Sequence, residues 1–275
     1  MGAHVEVMDL VAQMKAAERT FVLATVVRTV SVTAAKAGAK AIIAPDGTIV
    51  AGWIGGGCAR GAVLKAAREA LADGEPRMVS VQPEDLLAEL GVKAGESRQG
   101  VRFAANFCPS QGTMDIFVEP VLPHPSLVIF GASPVALSLA SQARQLGYHV
   151  TLAAPATDRP AAIDADVVVD GFALGKLHQA KRFVVVSTQG KGDEAALREA
   201  AATEAAYHAF VGSRRKWAAL REKLLAQGAA ASALGCVKAP AGLDLGAITP
   251  EEIAMSILAE ITQERRRGQR GDPRD

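Results

Sequence analysis

The sequence is poor in cysteine, in aromatic residues and in net charge. Its three cysteines, Cys58, Cys108 and Cys236, are too few for a disulfide framework and would leave one thiol unpaired. Lysine and arginine number 30 against 29 acidic residues, so the net charge of +1 gives no whole-protein argument for binding nucleic acid. No apolar run reaches the roughly 18 residues of a membrane span, and no signal peptide is visible. We therefore expect a cytoplasmic protein with free thiols, without a membrane span and without a nucleic-acid partner.

The chain is rich instead in small aliphatic side chains, because aromatic residues make up only 4% of it and hydrophobic residues 49%. With 21% charged residues, this balance excludes global disorder. Domains typically hold about 100–200 residues, so 275 residues suggest two of them. The best boundary is 119–125, where three prolines in seven residues argue against the interior of a sheet or helix. We expect one domain over 1–120 and a second over 126–275.

The first domain reads as a mixture of helices and antiparallel strands, an α+β arrangement. Pro45-Asp46-Gly47 separates two apolar runs of strand length and predicts a hairpin. The helical spacing of alanines between Gly57 and Gly74 predicts a helix that begins directly after three glycines. Further elements are predicted as a helix over 5–18 and strands over 21–27, 78–81, 101–107 and 113–118.

The second domain alternates short apolar runs with helical stretches. Such alternation predicts a parallel sheet with right-handed crossovers, and we expect a Rossmann-like, doubly wound α/β fold. Thr249-Pro250-Glu251-Glu252 combines an N-cap residue, a proline and two acids, and predicts a helix that continues to about Arg267. The predicted strands cover 127–130, 148–153, 166–169, 183–187 and 209–211, and the other helices cover 134–146, 193–206 and 213–227.

The start of the second domain has the layout of a dinucleotide-binding unit: strand, tight turn, helix, strand. A working site uses three glycines for the turn, the approach of the pyrophosphate and helix packing. Here those positions hold Gly131, Ser133 and Ala136. The acidic residue that should hold the ribose is missing from the end of the next strand, and the nearest one is Asp158. A site for FAD or NAD(P) and a scaffold without nucleotide therefore both stay open.

The sharpest local feature is Gly55-Gly56-Gly57-Cys58. Successive glycines expose backbone N–H groups, and at a helix N-terminus these form a nest that attracts anions and stabilises a thiolate. Cys58 is therefore a candidate thiolate ligand or nucleophile. The alternative is a small buried cysteine behind a glycine turn.

The other two cysteines carry weaker signals. Cys108 lies in a turn between two predicted strands. Taken alone, it is interpreted as a core or turn residue, and a functional role is the alternative. Cys236 is interpreted as structural. The sequence has no Cys-x-x-Cys, and its five histidines are scattered, which argues against a zinc site.

A basic run follows Gly212-Ser213 at the start of a predicted helix. Arg214, Arg215 and Lys216 are candidates for holding a phosphate through charge-assisted hydrogen bonds. A solvated basic helix face explains the same run equally well.

Taken together, these segments resemble the XdhC/CoxI/CoxF family of maturation factors for molybdenum hydroxylases. The chain departs from the usual family pattern at 31–36, after Cys108, at the missing acid after the second Rossmann strand and at 187–197. These departures resemble the CoxF branch more than the XdhC branch. The resemblance rests on residues 23–58, 107–120, 127–140, 211–220 and 239–261, the last of which reads APAGLDLGAITPEEIAMSILAEI.

The resemblance implies a carrier rather than a conventional enzyme. Members of the family bind the molybdenum cofactor, a molybdopterin, protect it during sulfuration and help to insert it into an apo molybdenum hydroxylase. The hydroxylase is of the xanthine dehydrogenase or the carbon monoxide dehydrogenase type. Cys58 is then the candidate ligand of molybdenum or sulfur. The cofactor-binding residues are predicted as Gly55, Gly56, Gly57, Cys58, Cys108, Gly131, Ser133, Ala136, Arg214, Arg215 and Lys216.

Two further kinds of partner are expected. A cysteine desulfurase or another sulfur donor is expected, and a homodimer is expected because symmetric dimers are the commonest oligomers. Two alternatives stay open. One is a redox protein that binds FAD or NAD(P) and assists assembly of the hydroxylase active site, and the other is an assembly module that never holds cofactor.

Overall fold

The computed structural model describes residues 6–109, 111–175, 177 and 180–267. The chain forms two compact units, Met1–Pro123 and His124–Asp275. Each unit has hydrophobic clusters of its own. Within the described residues, no helix combines the length and the apolar character needed to cross a bilayer.

The first unit is built on a mixed sheet that has seven strands in its described part, in the order β3-β2-β1-β7-β4-β6-β5. Neighbouring strands are antiparallel except β4 and β6, which run parallel. The elements are α1 (Val7–Ala16), β1 (Phe21–Val30), β2 (Lys40–Ile43), β3 (Ile49–Gly52), α2 (Gly57–Asp73), β4 (Arg77–Gln82), α3 (Glu84–Glu89), β5 (Ser97–Arg98), β6 (Val101–Ala105) and β7 (Thr113–Val121).

Small side chains let α2 lie close against the sheet. Ala59, Ala66 and Ala70 are buried on the face of α2 that packs on β1, β4 and β7. Gly74 ends the helix in the left-handed conformation that glycine adopts without strain. The helix predicted to begin after the three glycines is confirmed, and its first turn is the part of the unit that matters for the site.

The second unit is a six-stranded parallel sheet in its described part, in the order β10-β9-β8-β11-β12-β13. Helices α4 and α8 share one hydrophobic cluster with the sheet, and α5, α6 and α7 share another. The Rossmann-like, doubly wound prediction is confirmed. The elements are β8 (Ser126–Phe130), α4 (Pro134–Gln145), β9 (His149–Ala154), β10 (Val167–Asp170), β11 (Arg182–Val186), α5 (Asp193–Ala202), β12 (Tyr207–Phe210), α6 (Arg214–Ala226), α7 (Ala231–Gly235), β13 (Val237–Lys238) and α8 (Pro250–Arg266).

The strand before the domain boundary extends further than its prolines predicted. β7 continues to Val121, and Pro120 lies opposite Val22 of β1. β4 accompanies β7 only as far as Val118. Beyond that point β7 is an edge strand among the described residues, and edge strands tolerate a proline. The prediction that the prolines of 119–125 stay outside the sheet is therefore wrong for Pro120.

Strong local sequence signals predicted helix boundaries correctly, whereas very short elements gave no such signal. The predicted start of α8 is confirmed, since Thr249 Oγ1 accepts the Glu252 N–H at 3.3 Å and the Glu252 carboxylate accepts the Thr249 N–H at 3.0 Å. The short elements α3, β5, α7 and β13 were not predicted, because two to six residues give no readable periodicity.

Gly52, at the end of β3, is a strict backbone requirement of the first unit. Its φ is +84°, and a Cβ built there would lie 2.0 Å from the carbonyl oxygen of Lys40. We expect Gly52→Ala to lower the free energy of unfolding by at least about 1–3 kcal/mol. The measurement is urea unfolding followed by circular dichroism.

Gly61 is the matched control, because it lies within α2 and a Cβ there meets nothing within 4 Å. Gly61→Ala should raise the free energy of unfolding by up to about 1 kcal/mol, the difference in helix propensity. Equal urea midpoints for the two variants would show that the backbone at Gly52 is not constrained.

Candidate functional site

Two of the three glycines before Cys58 are not required by the fold. Gly55 is buried and has a φ of +109°, which favours glycine. Gly56, the N-cap residue of α2, and Gly57, its first residue, have ordinary φ values, and a Cβ at either would meet nothing within 4 Å. The space beside the first turn of α2 is therefore open.

The first turn of α2 keeps its hydrogen-bond donors available. The first N–H groups of a helix have no partner within the helix. Among the residues that the structure describes, no side chain caps α2, and no acidic residue lies in its first turn. This end of the helix carries a partial positive charge and faces the open space beside Gly56 and Gly57.

The structure brings Cys108 to Cys58. Both thiols are free, and the Cys58 side chain is close enough to that of Cys108 to influence its pKa. Cys58 is half-buried at the second position of α2, and Cys108 is exposed in the loop between β6 and β7. Two cysteines that the sequence analysis treated separately therefore form one cluster, which we call the thiol pair.

Asn106 holds the loop that carries Cys108. Its Nδ2 donates to the carbonyl oxygen of Gly112 at 2.7 Å, and its Oδ1 accepts the Cys108 N–H at 3.0 Å. The Asn106 N–H donates to the carbonyl oxygen of Gln82 at 2.7 Å, which continues the pairing of β6 with β4. The sequence analysis missed Asn106, although an asparagine just after a strand is a known former of local turns.

A cavity of about 460 Å³ opens beside Cys58. This volume is in the usual range of small-molecule sites. Two cations border it: the exposed Lys65, and Arg102, which forms an ion pair with Glu69. Its lining also includes Gly57, Cys58, Phe103 and Phe107, the last of which is 72% exposed.

The environment of Cys108 raises the pKa of its thiol. Partial desolvation is the largest cause, followed by the charge of the neighbouring Cys58 and the hydrogen bond between the two side chains. Cys108 therefore holds its proton more tightly than an isolated thiol, although it remains accessible to solvent.

The described residues contain no group of three or more histidines, cysteines, aspartates or glutamates that could enclose a metal ion. The thiol pair alone is thus an incomplete set of ligands for a free ion. It suits a metal that arrives with ligands of its own and accepts one or two thiolates.

In the second unit, the residues of the dinucleotide pattern serve the fold. Gly131 has a φ of +108°, and a Cβ there would lie 2.3 Å from the carbonyl oxygen of Ser187. The Ser133 hydroxyl caps α4 by accepting the Ala136 N–H at 3.2 Å, and it lies 2.7 Å from the Ser187 hydroxyl. Pro134 has no N–H. The first turn of α4 therefore has few donors left for a pyrophosphate.

The crevice beside Gly131 is also small, with a cavity of about 40 Å³ that Phe172 helps to line. β9 ends in Ala153 and Ala154, which offer no carboxylate to a ribose. Asp158 lines the crevice, but its carboxylate lies 3.5 Å from the Lys191 ammonium. The residues present do not fit a dinucleotide at this position.

The three residues of the basic run, Arg214, Arg215 and Lys216, differ in their contacts. Lys216 is committed to the fold: its Nζ lies 2.6 Å from Asp193 Oδ2 and 5.4 Å from the centre of the Phe210 ring. Arg214 and Arg215 are exposed at the start of α6 and line a separate cavity.

Cys236 lies in the second unit at the end of α7. Its Sγ lies 3.4 Å from the carbonyl oxygen of Ser232 and belongs to no cysteine cluster of the described residues. It is therefore a natural control for the thiol pair.

The proximity of the thiol pair is testable by oxidation. We expect diamide, which accepts two hydrogens from a pair of thiols, to link Cys58 to Cys108, because their side chains are close enough to interact. Mass spectrometry of a non-reduced digest would detect the linked peptides. Cys236 should remain reduced, and a Cys236→Ser variant should form the same link. A digest in which Cys236 is linked as readily as Cys108 would contradict the arrangement.

The reactivity of Cys108 should depend on Cys58. Removing the neighbouring thiol in Cys58→Ala takes away two of the three causes that raise the pKa of Cys108. A larger thiolate fraction should then make Cys108 react faster with iodoacetamide near neutral pH. The rate is measured by mass spectrometry of the labelled peptide across a pH series. Unchanged or slower labelling, with Cys236→Ala as the control, would contradict the contact.

Comparison with known proteins agrees with the two-unit structure. Residues 14–82 match the family model described as the XdhC and CoxI family, and residues 127–261 match the model described as the XdhC Rossmann domain. The matched ranges include Cys58 in the first unit and the Arg214–Arg215 pair in the second.

Two curated proteins are similar to the chain. It is 30% identical over 233 residues to the uncharacterised protein YqeB of Escherichia coli K12, a match that covers 82% of the chain and 40% of the relative. It is 31% identical over 167 residues to a probable xanthine dehydrogenase subunit of Bacillus subtilis 168, a match that covers 56% of the chain and 47% of the relative. The chain spans less than half the length of these relatives.

A crystal structure described as a xanthine dehydrogenase from Bacillus halodurans matches 98% of both chains, at 20% identity and a TM-score of 0.43. The two family models match separate parts of the sequence and together cover well over half of it. The chain belongs to the XdhC and CoxI family.

Proposed function

We propose that this chain is an accessory protein of a xanthine dehydrogenase-type molybdenum hydroxylase and carries the molybdenum cofactor at the thiol pair. The observation that carries the proposal is the proximity of Cys58 and Cys108 at a helix N-terminus that no described side chain caps, next to a cavity that Cys58 lines. Family membership and the name of the Bacillus subtilis relative support the choice of client.

The thiol pair suits the metal of this cargo. Thiolates are soft ligands, and molybdenum in a pterin cofactor arrives with its own dithiolene sulfurs. Two protein thiols are then enough to hold it, whereas a free ion would need a larger set of ligands. Because Cys108 is exposed, cargo can reach the pair and leave it without opening the core.

The surroundings of the thiol pair suit the anionic parts of the cargo. The first turn of α2 offers N–H groups that no side chain in the described part of the chain caps. The open space at Gly56 and Gly57 leaves room for a group to approach them. Lys65 adds positive charge at the rim of the cavity, whereas the charge of Arg102 is paired with that of Glu69.

The later steps of maturation follow from the same exposure. A sulfur donor, such as a cysteine desulfurase, would approach the exposed cargo, and the apo hydroxylase would then receive it. In this role the chain acts as a carrier rather than as a conventional enzyme. The client belongs to the xanthine dehydrogenase or the carbon monoxide dehydrogenase type, and the assignment to the CoxF branch remains a prediction, as do the homodimer and the cytoplasmic location.

The test is cofactor binding by variants of the thiol pair. We expect Cys58→Ala and Cys108→Ala each to weaken binding at least about tenfold, because each removes one soft ligand. Bound cofactor is quantified from the fluorescence of the oxidised pterin released from purified protein. Cys236→Ala is the matched control and should bind like the wild type.

A second variant separates ligand binding from folding. Gly57→Ala should fold normally, because its Cβ meets nothing, yet it fills space beside the first turn of α2 and should weaken binding. Wild-type binding by Cys58→Ala and Cys108→Ala would refute the proposed site. Retention of the apo hydroxylase by a chain that never holds pterin would favour a pure assembly module instead.

A further inference from the structure

The sheet of the first unit brings several separate chain segments to one edge. Because neighbouring strands are antiparallel except β4 and β6, the strands β1, β3, β4 and β6 end where β2 and β7 begin. The turn over 31–39, the segment 53–56 and the loop between β6 and β7 therefore leave the sheet at the same edge. A bridge between Val32 and Gln111 joins the first of these to the last. We call this edge, together with the first turns of α2, the thiol edge.

Large apolar side chains are exposed at the thiol edge. Val32 is 71% exposed and Trp53 is 56% exposed, and the exposed Phe107 directly precedes Cys108. Val30, at the end of β1, is exposed as well. The chain has only two tryptophans and eight phenylalanines, so abundance does not explain an exposed member of each at one edge. Exposed apolar groups that cluster in this way mark interaction sites, and aromatic residues are enriched in protein interfaces.

Two contacts place these side chains around one point of the sheet. A Cβ at Gly55, two residues after Trp53, would lie 3.4 Å from Met114 Cε. Val30 lies opposite Thr113, the residue before Met114. The segment that carries Trp53 and the end of β1 therefore both lie at the start of β7, directly after the loop that carries Cys108.

The charges of the thiol edge are of one sign on the side of α2. Lys36, Arg60 and Lys65 are exposed and form no ion pair with the described residues. The segments 19–45 and 47–68, from which these cations come, contain no acidic residue. Positive charge that the chain itself leaves uncompensated favours a partner with acidic side chains.

Two acidic side chains at this edge lie on the other face of the sheet. Glu84 and Asp85 begin α3, and α3 packs on β6 through Leu87 and Phe103. Ala104 packs instead with the hydrophobic cluster of α2. Successive residues of a strand point to opposite faces, so α3 and its acidic residues lie across the sheet from α2. The positive charge on the α2 side is not cancelled by them.

These charges distinguish between two kinds of partner. In a symmetric dimer the same patch faces itself, so the cations of the thiol edge would meet their own copies and repel one another. A different protein with acidic side chains is attracted by the same charges. A protein that takes cargo from the thiol pair must also cover the surface around it. A second copy of this chain is therefore the poorer fit.

We propose that the thiol edge is the surface on which the apo hydroxylase docks. Trp53, Val32 and Phe107 form the apolar centre of the contact. Lys36 and Arg60 pair with acidic side chains of the client around that centre. This assignment rests on the proposed carrier function and deepens it, because it names the surface across which the cargo is transferred.

The test is binding of the full chain to apo xanthine dehydrogenase and to apo carbon monoxide dehydrogenase, each made in cells without molybdenum cofactor. Biolayer interferometry measures the affinity. Trp53→Ser combined with Val32→Ser should weaken binding of the client at least about tenfold, because a few apolar anchors carry most of the energy of an interface. Binding of neither apo hydroxylase by the wild type would overturn the proposal.

Leu90→Ser combined with Leu122→Ser is the matched control for the apolar centre. Both leucines are exposed. Leu122 follows the far end of β7, and Leu90 ends α3 on the other face of the sheet. The control should bind the client like the wild type. Equal affinities of the two double variants would refute the assigned surface, and circular dichroism would confirm that both fold.

The charges are tested by reversal at single positions. Lys36→Glu should weaken binding of the client at least about threefold and reduce its dependence on salt, because an attraction becomes a repulsion. Lys15→Glu changes the net charge equally, but Lys15 lies near the end of α1, which leads to the start of β1 at the opposite edge. An equal loss of affinity in both variants would show that net charge alone matters and would contradict the proposal.

Cargo binding separates this proposal from the carrier function. Val32, Trp53 and Lys36 do not line the cavity beside Cys58, so their variants should keep the pterin content of the wild type. Loss of pterin together with the client would assign these residues to the cargo site and overturn the docking surface. If Cys58→Ala keeps its pterin while Trp53→Ser with Val32→Ser loses the client, the carrier function fails and the docking surface is supported.

Sedimentation velocity of the free chain tests the other partner. We expect Trp53→Ser combined with Val32→Ser to leave the oligomeric state unchanged. A wild-type dimer that this variant dissociates would assign the thiol edge to a second copy of the chain and overturn the proposal.

Discussion

The candidate site in the first unit and the cavity beside α6 in the second depend on one directional constraint, the orientation of a helix relative to the strands beside it. α2 turns back into β4 through Gly74, so it runs against β4, and its first turn lies where β4 and β6 end. α6 begins directly after β12 and opens at the carboxyl edge of the parallel sheet. In both units, loops that follow strands therefore meet the positive end of a helix dipole, which is where anions and thiolates are most stable.

The sequence predicted what local periodicity encodes. The alternation in the second unit predicted the doubly wound sheet, and the glycines predicted the start of α2. What it could not predict depends on partners distant in the sequence. Cys108 lies near Cys58 only because β6 pairs with β4. Lys216 forms an ion pair with Asp193 and is therefore not available to a ligand. Pro120 lies in a strand because its neighbour β4 has already ended, which no single segment reveals.

The Rossmann-like unit keeps the fold of a nucleotide-binding domain. At its usual phosphate site, however, the unit's own side chains accept hydrogen bonds from the backbone N–H groups that would bind the ligand. Ser133 caps α4 and contacts Ser187, and Phe172 helps to line the remaining crevice. Close packing at Gly131 is retained, because it joins β8 to the strand beside it rather than a strand to a ligand. The larger cavity of this unit lies instead beside α6 and the loop over 239–247. The buried carboxylate of Glu260 holds this loop by accepting the Gly242 N–H.

The raised pKa of Cys108 has a consequence for the exchange of cargo. A thiol that holds its proton must lose it before its sulfur can ligate a metal, so binding by both cysteines would expel a proton to solvent. Departure of the cargo would return that proton to Cys108. Under the proposed carrier function, loading would release a proton and unloading would take one up, so lower pH at a docked client would favour transfer of the cargo.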